Sequence, residues 1–204
     1  MKLKGDMAAM QILYNEPMKN HTSFKVGGPA DIFIEPDDST ELVKAIKDLR
    51  EQGLSYYIIG NGSNLLVSDK GLRGAVIKIG EKFGSVSIDN DIITAESGVL
   101  LSTLSKMAAR EGLTGMEFAS GIPGSLGGAV TMNAGAYGGE MKDIVEWVEL
   151  LDQDLNLKRL KNDEMKFMYR KSIIEPGKHI VLRCCIRLKK GNKDEIDSKM
   201  AELA

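Results

Sequence analysis

Along the chain, Leu42, Val43, Ile46 and Leu49 recur at helical spacing, which predicts a helix over about 40–52. Ser39 or Thr40 is placed to cap its start, and Gly53 sits where a helix ends in a left-handed residue. The apolar run Ser55-Tyr56-Tyr57-Ile58-Ile59 before Gly60 predicts a buried strand that delivers a loop. Ala75–Ile79 predicts another, completing a strand, helix, strand, loop, strand lobe. Short strands at 85–88 and 91–96 flank Asp89-Asn90 and predict a hairpin. A second helix over about 101–111 carries Leu101, Leu104, Met107 and Ala108, with Gly112 beyond its end. Ile144–Leu151 and Leu155–Leu160 pair around Asp152-Gln153-Asp154. From Ile180 to Lys189 the apolar series Ile180, Leu182, Cys184, Ile186 and Leu188 alternates with its neighbours, the signature of a half-buried strand. Asn192 caps a last helix with Glu195 in capping-box position, and Ile196 and Met200 on it call for a partner.

Composition changes this picture in one respect, which is glycine. The chain holds 22 glycines, about 11% against a typical ~7%. Nine of them fall between Gly112 and Gly139. The remainder is ordinary: 204 residues, 27 basic and 29 acidic side chains and a formal charge of −2. Without a basic block there is no electrostatic case for nucleic acid or an anionic membrane surface, and no protein partner is evident. No apolar run reaches the ~18 residues of a spanning helix, and Asp6 and Gln11 interrupt any leader-like stretch, so the expectation is a cytoplasmic protein. Adjacent Cys184 and Cys185 read as reduced thiols. His21 and His179 lie far apart with no ligand spacing around them, so no metal is expected. His21 reads as positioning the 20–24 turn, and Trp147, Tyr56 and Tyr57 as packing residues.

Two loops remain for chemistry. Gly60-Asn61-Gly62-Ser63-Asn64-Leu65-Leu66 follows a predicted strand but lacks the third glycine of the dinucleotide fingerprint and the Gly-Lys-Ser/Thr of a P-loop. Its glycines allow successive N–H groups to converge on an anion, with Ser63, Asn61 and Asn64 as further donors. It reads equally as a tight surface turn. From Glu117 to Gly139 there is no lysine or arginine and little side chain of any kind. That suits a pyrophosphate held by main-chain amides, helped by a helix starting near Ser125, and also suits a glycine-rich packing corner.

Asn20-His21-Thr22-Ser23-Phe24-Lys25-Val26-Gly27-Gly28-Pro29-Ala30, GNGSNLLVSDKGLRG from Gly60, GIPGSLGGAVTMNAGAYGGE from Gly121 and Tyr169-Arg170-Lys171-Ser172 together resemble the UDP-N-acetylenolpyruvoylglucosamine reductase family from about residue 13 to 190. The resemblance implies an α+β fold, the two-lobed FAD-binding domain of the vanillyl-alcohol-oxidase (PCMH) type. Lobe 1 would be 20–80 and lobe 2 81–190, after an N-terminal segment 1–19. FAD would be held by Gly60, Asn61, Gly62, Ser63, Asn64 and Leu65, by Ala119, Ser120, Gly121, Ile122, Pro123, Gly124, Ser125, Gly127 and Gly128, and by Asn133, Gly135, Ala136 and Tyr137. Its pyrophosphate would lie between the first two groups. In the family reaction NADPH passes a hydride to flavin N5, and the reduced flavin passes it to the enolpyruvyl C3 of a UDP-sugar, with a proton arriving at C2. Arg170 falls on the family's catalytic arginine. A guanidinium suits the charge that develops on the substrate carboxylate, with Tyr169 lining the same substrate pocket. A surface ion pair between Arg170 and Glu164 or Glu175 is the structural alternative.

The resemblance also implies a third, substrate-binding domain carrying a proton-donating serine and a second catalytic glutamate. Nothing after Arg187 resembles it, so residues 191–204 read as the start of a truncated domain and the polypeptide is expected not to turn over. The competing readings are an oxidase of the same flavin fold and a non-catalytic nucleotide-binding or scaffold module.

Overall fold

The computed structural model describes residues 10–203. The chain divides after Phe83 into two compact units.

In the first unit, strands β1 (Gln11–Pro17) and β2 (Pro29–Glu35) precede helix α1 (Ser39–Glu51), which is followed by β3 (Tyr56–Ile59) and β4 (Leu72–Lys78). They form a four-stranded sheet in the order β1-β2-β4-β3, with β1 antiparallel to β2 and the remaining pairs parallel. Alternation along β2 and β4 sends Phe33 and Val76 to a face covered by Met18 and Val67, while Ile32, Ile34, Ala75 and Ile77 are sealed on the other. The apolar stripe of α1, Leu42, Ala45, Ile46 and Leu49, is wholly buried. Each such Leu or Ile contributes about 1.5–3 kcal/mol. The cap of α1 is Asp38, whose carboxylate accepts from the Thr40 and Glu41 N–H groups. Ser39 and Thr40, expected as caps, lie just inside the helix because the longer-reaching Asp38 already holds both amides. Tyr57 is half exposed rather than packed, and Tyr56 accepts a hydrogen bond from Arg50.

The second unit contains β5 (Val86–Asp89), β6 (Ile92–Glu96), α2 (Leu101–Arg110), β7 (Leu113–Thr114), α3 (Leu126–Thr131), the short hairpin β8 (Gly135–Ala136) and β9 (Gly139–Glu140), β10 (Val145–Leu151), β11 (Leu157–Lys161), β12 (Ile180–Arg187), β13 (Lys189–Lys190) and α4 (Lys193–Glu202). Its main sheet is antiparallel, ordered β11-β10-β12-β6-β5. Ile93, Ala95, Val148, Cys184 and Ile186 face a core shared with α2 and α3. Both cysteines are free and buried, and burial pushes both thiols up from their ordinary pKa. The last helix has its Asn192 cap, with Ile196 buried, and packs on α2, β7 and the 3-10 turn Glu117–Ala119. No helix among the described residues is long and apolar enough to cross a membrane.

On the opposite sheet face Glu149 of β10 lies across from Arg183 of β12 and beside Arg159 of β11. It accepts from both guanidinium groups, and Arg159 also lies 4.2 Å over the Trp147 ring. Burial pushes the Glu149 carboxyl up. The hydrogen bonds and charges of Arg183 and Arg159 outweigh that and hold it below its ordinary value. Its stabilising contribution is therefore complete above the ordinary carboxylate range and is lost as pH falls through the folded value. Urea unfolding should show midpoints that drop on acidification from about pH 6 to about pH 3. A Glu149→Gln chain should be less stable at neutral pH and lose less on acidification.

Candidate cofactor and active site

The Gly60–Leu65 loop leaves β3 and packs on the 3-10 turn Met18–His21. Gly62 has φ +66°, its carbonyl accepts from the Ser23 N–H, and a Cβ there would stand 1.9 Å from the His21 carbonyl oxygen. Only glycine permits this approach. The N–H groups of Gly62, Ser63 and Leu65 donate to no protein acceptor among the described residues, so within the first unit this loop presents the kind of donors an anion needs.

In the second unit, the segment from Glu117 divides its donors unevenly. The Ala119 N–H closes a turn on Met116, the Ser120 N–H and hydroxyl both bond the Glu117 carbonyl, and the Ile122 N–H bonds Ala119. Pro123 has no N–H to offer. At the start of α3 the Leu126 and Gly127 amides donate to the Val99 and Ser97 carbonyls at 2.8 Å. Gly127 is glycine for packing, since a Cβ would meet the Ser97 side chain at 2.8 Å. This leaves the N–H groups of Gly121, Gly124, Ser125 and Gly128 without a protein acceptor among the described residues. The Ser125 side chain caps nothing.

Asn133, expected along the flavin side, is buried with φ +43° and its amide fully engaged. It donates to Glu140 and to the Met168 carbonyl and accepts the Lys142 N–H. These bonds tie the Gly135–Glu140 hairpin to the turn carrying Tyr169 and Arg170. Gly135 and Ala136 form one arm of that hairpin, and Tyr137 and Gly138, both with positive φ, make its tip, where Tyr137 is 70% exposed.

Met168 and Lys171 exchange two backbone hydrogen bonds, which places Tyr169 and Arg170 at the end of a tight turn. Both side chains are exposed, and Arg170 has φ +54°. The turn is anchored at its far side by Ser172, whose hydroxyl donates 2.7 Å to the carbonyl of Thr131, the last residue of α3. Arg170 forms no ion pair with Glu164, Glu175 or any other described residue. Glu175 pairs instead with Lys178.

Sequence reasoning missed Glu117, although it is the only charged residue in the stretch 117–139. It is 3% exposed and accepts from the Thr114 hydroxyl at 2.6 Å and the Gly115 N–H at 2.9 Å, with Lys199 of α4 at 4.0 Å. Burial pushes its carboxyl up, but these hydrogen bonds and the Lys199 charge bring it below its ordinary value. An ionised Glu117 thus fixes the root of the glycine-rich loop.

Residues 30–161 match the FAD binding domain family. Over 202 residues the chain is 52% identical to the UDP-N-acetylenolpyruvoylglucosamine reductase of Caldanaerobacter subterraneus subsp. tengcongensis, covering 99% of this chain and 67% of that protein. Over 193 residues it is 52% identical to the protein of the same name from Clostridioides difficile, covering 95% and 64%. The chain thus spans roughly two thirds of the length of these relatives. Among solved structures it superposes on UDP-N-acetylenolpyruvylglucosamine reductase from Thermus caldophilus with a TM-score of 0.80 at 39% identity, covering 95% of this chain and 67% of that one. A solvent-stable cholesterol oxidase, at 14% identity and a TM-score of 0.72 over 93% of this chain and 40% of its own, shares the fold alone. With a mixed α and β architecture of the vanillyl-alcohol-oxidase flavoprotein type and this degree of identity, the chain belongs to the UDP-N-acetylenolpyruvoylglucosamine reductase family.

Proposed function

We propose that this chain binds FAD and forms the flavin-holding part of an NADPH-dependent reductase that converts UDP-N-acetylglucosamine enolpyruvate to UDP-N-acetylmuramate for peptidoglycan synthesis. The observation that carries the reading is the pairing, in one unit, of cation-free backbone donors at Gly121, Gly124, Ser125 and Gly128 with an arginine, unpaired among the described residues, on a buttressed turn. Within the second unit the donor chemistry fits a diphosphate, whose oxygens accept from main-chain amides and from the Ser125 hydroxyl. FAD, when bound, supplies the hydride relay between NADPH and the enolpyruvyl carbon.

The protein's own residues bind and orient. In the second unit the free amides of Gly121, Gly124, Ser125 and Gly128 hold the diphosphate, with Tyr137 beside the flavin. In the first unit the Gly60–Leu65 loop supplies further donors for FAD. The Arg170 guanidinium clamps the substrate carboxylate with two parallel hydrogen bonds and stays charged as negative charge develops there, beside Tyr169. The proposed setting is the cytoplasm, where the reduced thiols of Cys184 and Cys185 persist.

Incubation with FAD should yield a yellow protein with a raised melting temperature, and NADPH under anaerobic conditions should bleach it. An Arg170→Met chain should keep the flavin and its bleaching. It should bind the enolpyruvyl substrate, read from the perturbation of the flavin spectrum, about 10- to 100-fold more weakly. A chain whose melting temperature does not move in saturating FAD would overturn the assignment.

A further inference from the structure

The segment from Lys19 to Val26 is built more rigidly than a connecting turn requires. The Thr22 hydroxyl donates to the Val26 carbonyl at 2.9 Å, and the Lys25 N–H donates to the Thr22 carbonyl at 3.1 Å. The His21 ring stacks on Phe33 at 4.0 Å between centroids, with Nε2 3.0 Å from a Glu16 carboxylate oxygen. On this frame Lys25 is held at φ +54°, a conformation a lysine does not take without constraint. Lys19 and Lys25 flank a surface recess that Asn20 and Thr22 also line, and neither lysine has an ion-pair partner among the described residues. Between them in sequence Phe24 is 61% exposed. The same turn carries Ser23, whose N–H bonds the Gly62 carbonyl and so ties the turn to the Gly60–Leu65 loop within one unit.

Two ammonium groups on one recess, without an ion-pair partner among the described residues, and an exposed aromatic ring next in sequence to the strained Lys25 are the parts that recognise a phosphorylated nucleoside. The cations meet a phosphomonoester, which carries nearly two charges near neutral pH, and the ring offers a stacking face to a base. We propose that Lys19 and Lys25, with Phe24, form a phosphomonoester subsite for a second nucleotide, distinct from the FAD diphosphate loops. The shared chemistry is a phosphate dianion, supplied either by the 2′-phosphate of the adenosine end of NADPH or by inorganic phosphate. The 2′-phosphate source deepens the reductase reading and rests on it, whereas the site itself stands on the geometry of the first unit.

The test is a calorimetric titration of the chain, already saturated with FAD, with 2′,5′-ADP, adenosine and inorganic phosphate. Flavin absorbance is followed separately, so that loss of the flavin reading and loss of this one are distinguishable. We expect 2′,5′-ADP to bind and adenosine not to. Lys19→Met and Lys25→Asn, the latter chosen because asparagine accepts a positive φ, should each weaken 2′,5′-ADP about ten-fold. Phe24→Ser should weaken 2′,5′-ADP and leave inorganic phosphate unchanged, which identifies the nucleotide as the source. Inorganic phosphate binding as tightly as 2′,5′-ADP, with Phe24→Ser without effect, would overturn the nucleotide assignment. Unchanged affinity in both lysine variants would overturn the site, as would binding that occurs only before FAD is added.

Discussion

A Gly62→Ala chain is expected to lose FAD binding by at least 100-fold. The added Cβ would lie 1.9 Å from the His21 carbonyl oxygen, a backbone atom that cannot rotate away, at a φ of +66°. The left-handed conformation alone costs roughly 1–2 kcal/mol for a residue with a Cβ. Removing the clash requires the loop or the Met18–His21 turn to move, which takes the Ser63 and Leu65 amides with it. Three kcal/mol in all corresponds to a little over 100-fold, at about 1.4 kcal/mol per factor of ten. Gly53→Ala is the control: φ is +65° but nothing lies within 4 Å of the new Cβ. It should cost about 1 kcal/mol of stability and leave the flavin affinity unchanged. Fluorescence titration of FAD with parallel melting curves distinguishes the two. Equal effects of both substitutions would show that backbone strain, and not loop placement, is what matters.

Asn133→Ala should be the most damaging single change in the second unit. It removes two donors and one acceptor from a buried position, and leaves the Lys142 N–H without its partner and the Met168 carbonyl with the Lys171 N–H alone, at a total of about 3 kcal/mol. Because Met168 opens the turn that presents Tyr169 and Arg170, affinity for the substrate carboxylate should fall as far as in Arg170→Met. Asn133→Gly, which accepts φ +43° without strain, separates the lost hydrogen bonds from the backbone effect. Urea unfolding measures the stability, and the substrate-induced change in the flavin spectrum measures the second effect. A glycine variant as stable as the parent would assign the whole cost to backbone strain.

Much of the architecture was legible where periodicity is local. The stripe of α1, the β5–β6 hairpin and the alternation through β12 follow from spacings of two or three to four residues. What escaped were features made by distant partners. Strands β1 and β2 carry no clean alternation: β1 is an edge strand with little buried, and Asp31 interrupts β2 because Arg73 and the Gly74 N–H hold its carboxylate. The strand read as continuing to Lys189 stops at Arg187, since Lys189 and Lys190 pair instead with Leu113 and Thr114. Similarly, Leu155, read as the start of β11, lies in a turn at φ +63° closed by the Asp152 carboxylate.

At the candidate site, glycine density picks out two stretches but does not assign a task to each residue. Gly62 and Gly127 look alike in sequence. One lets a loop lie on its neighbour with its amide free, and the other gives up its amide to Ser97 so that a helix can approach. Asn133, placed beside the flavin by the resemblance alone, has an amide that holds two turns together, which no local spacing reveals. Glu117 carries no local signal of its role, because its partners come from residues 114, 115 and 199.

Helix α3 begins at the loop that carries Ser125 and ends at the carbonyl that anchors Ser172, a separation of six residues or about 9 Å along the axis. It is in effect a ruler. Adding or deleting one residue would turn its far end by about 100° and swing the arginine turn around the helix. The length of this segment is therefore as constrained as the identity of any side chain in it. Natural insertions and engineered tags belong elsewhere, for example at the Gly177 turn, where a Cβ would meet nothing within 4 Å.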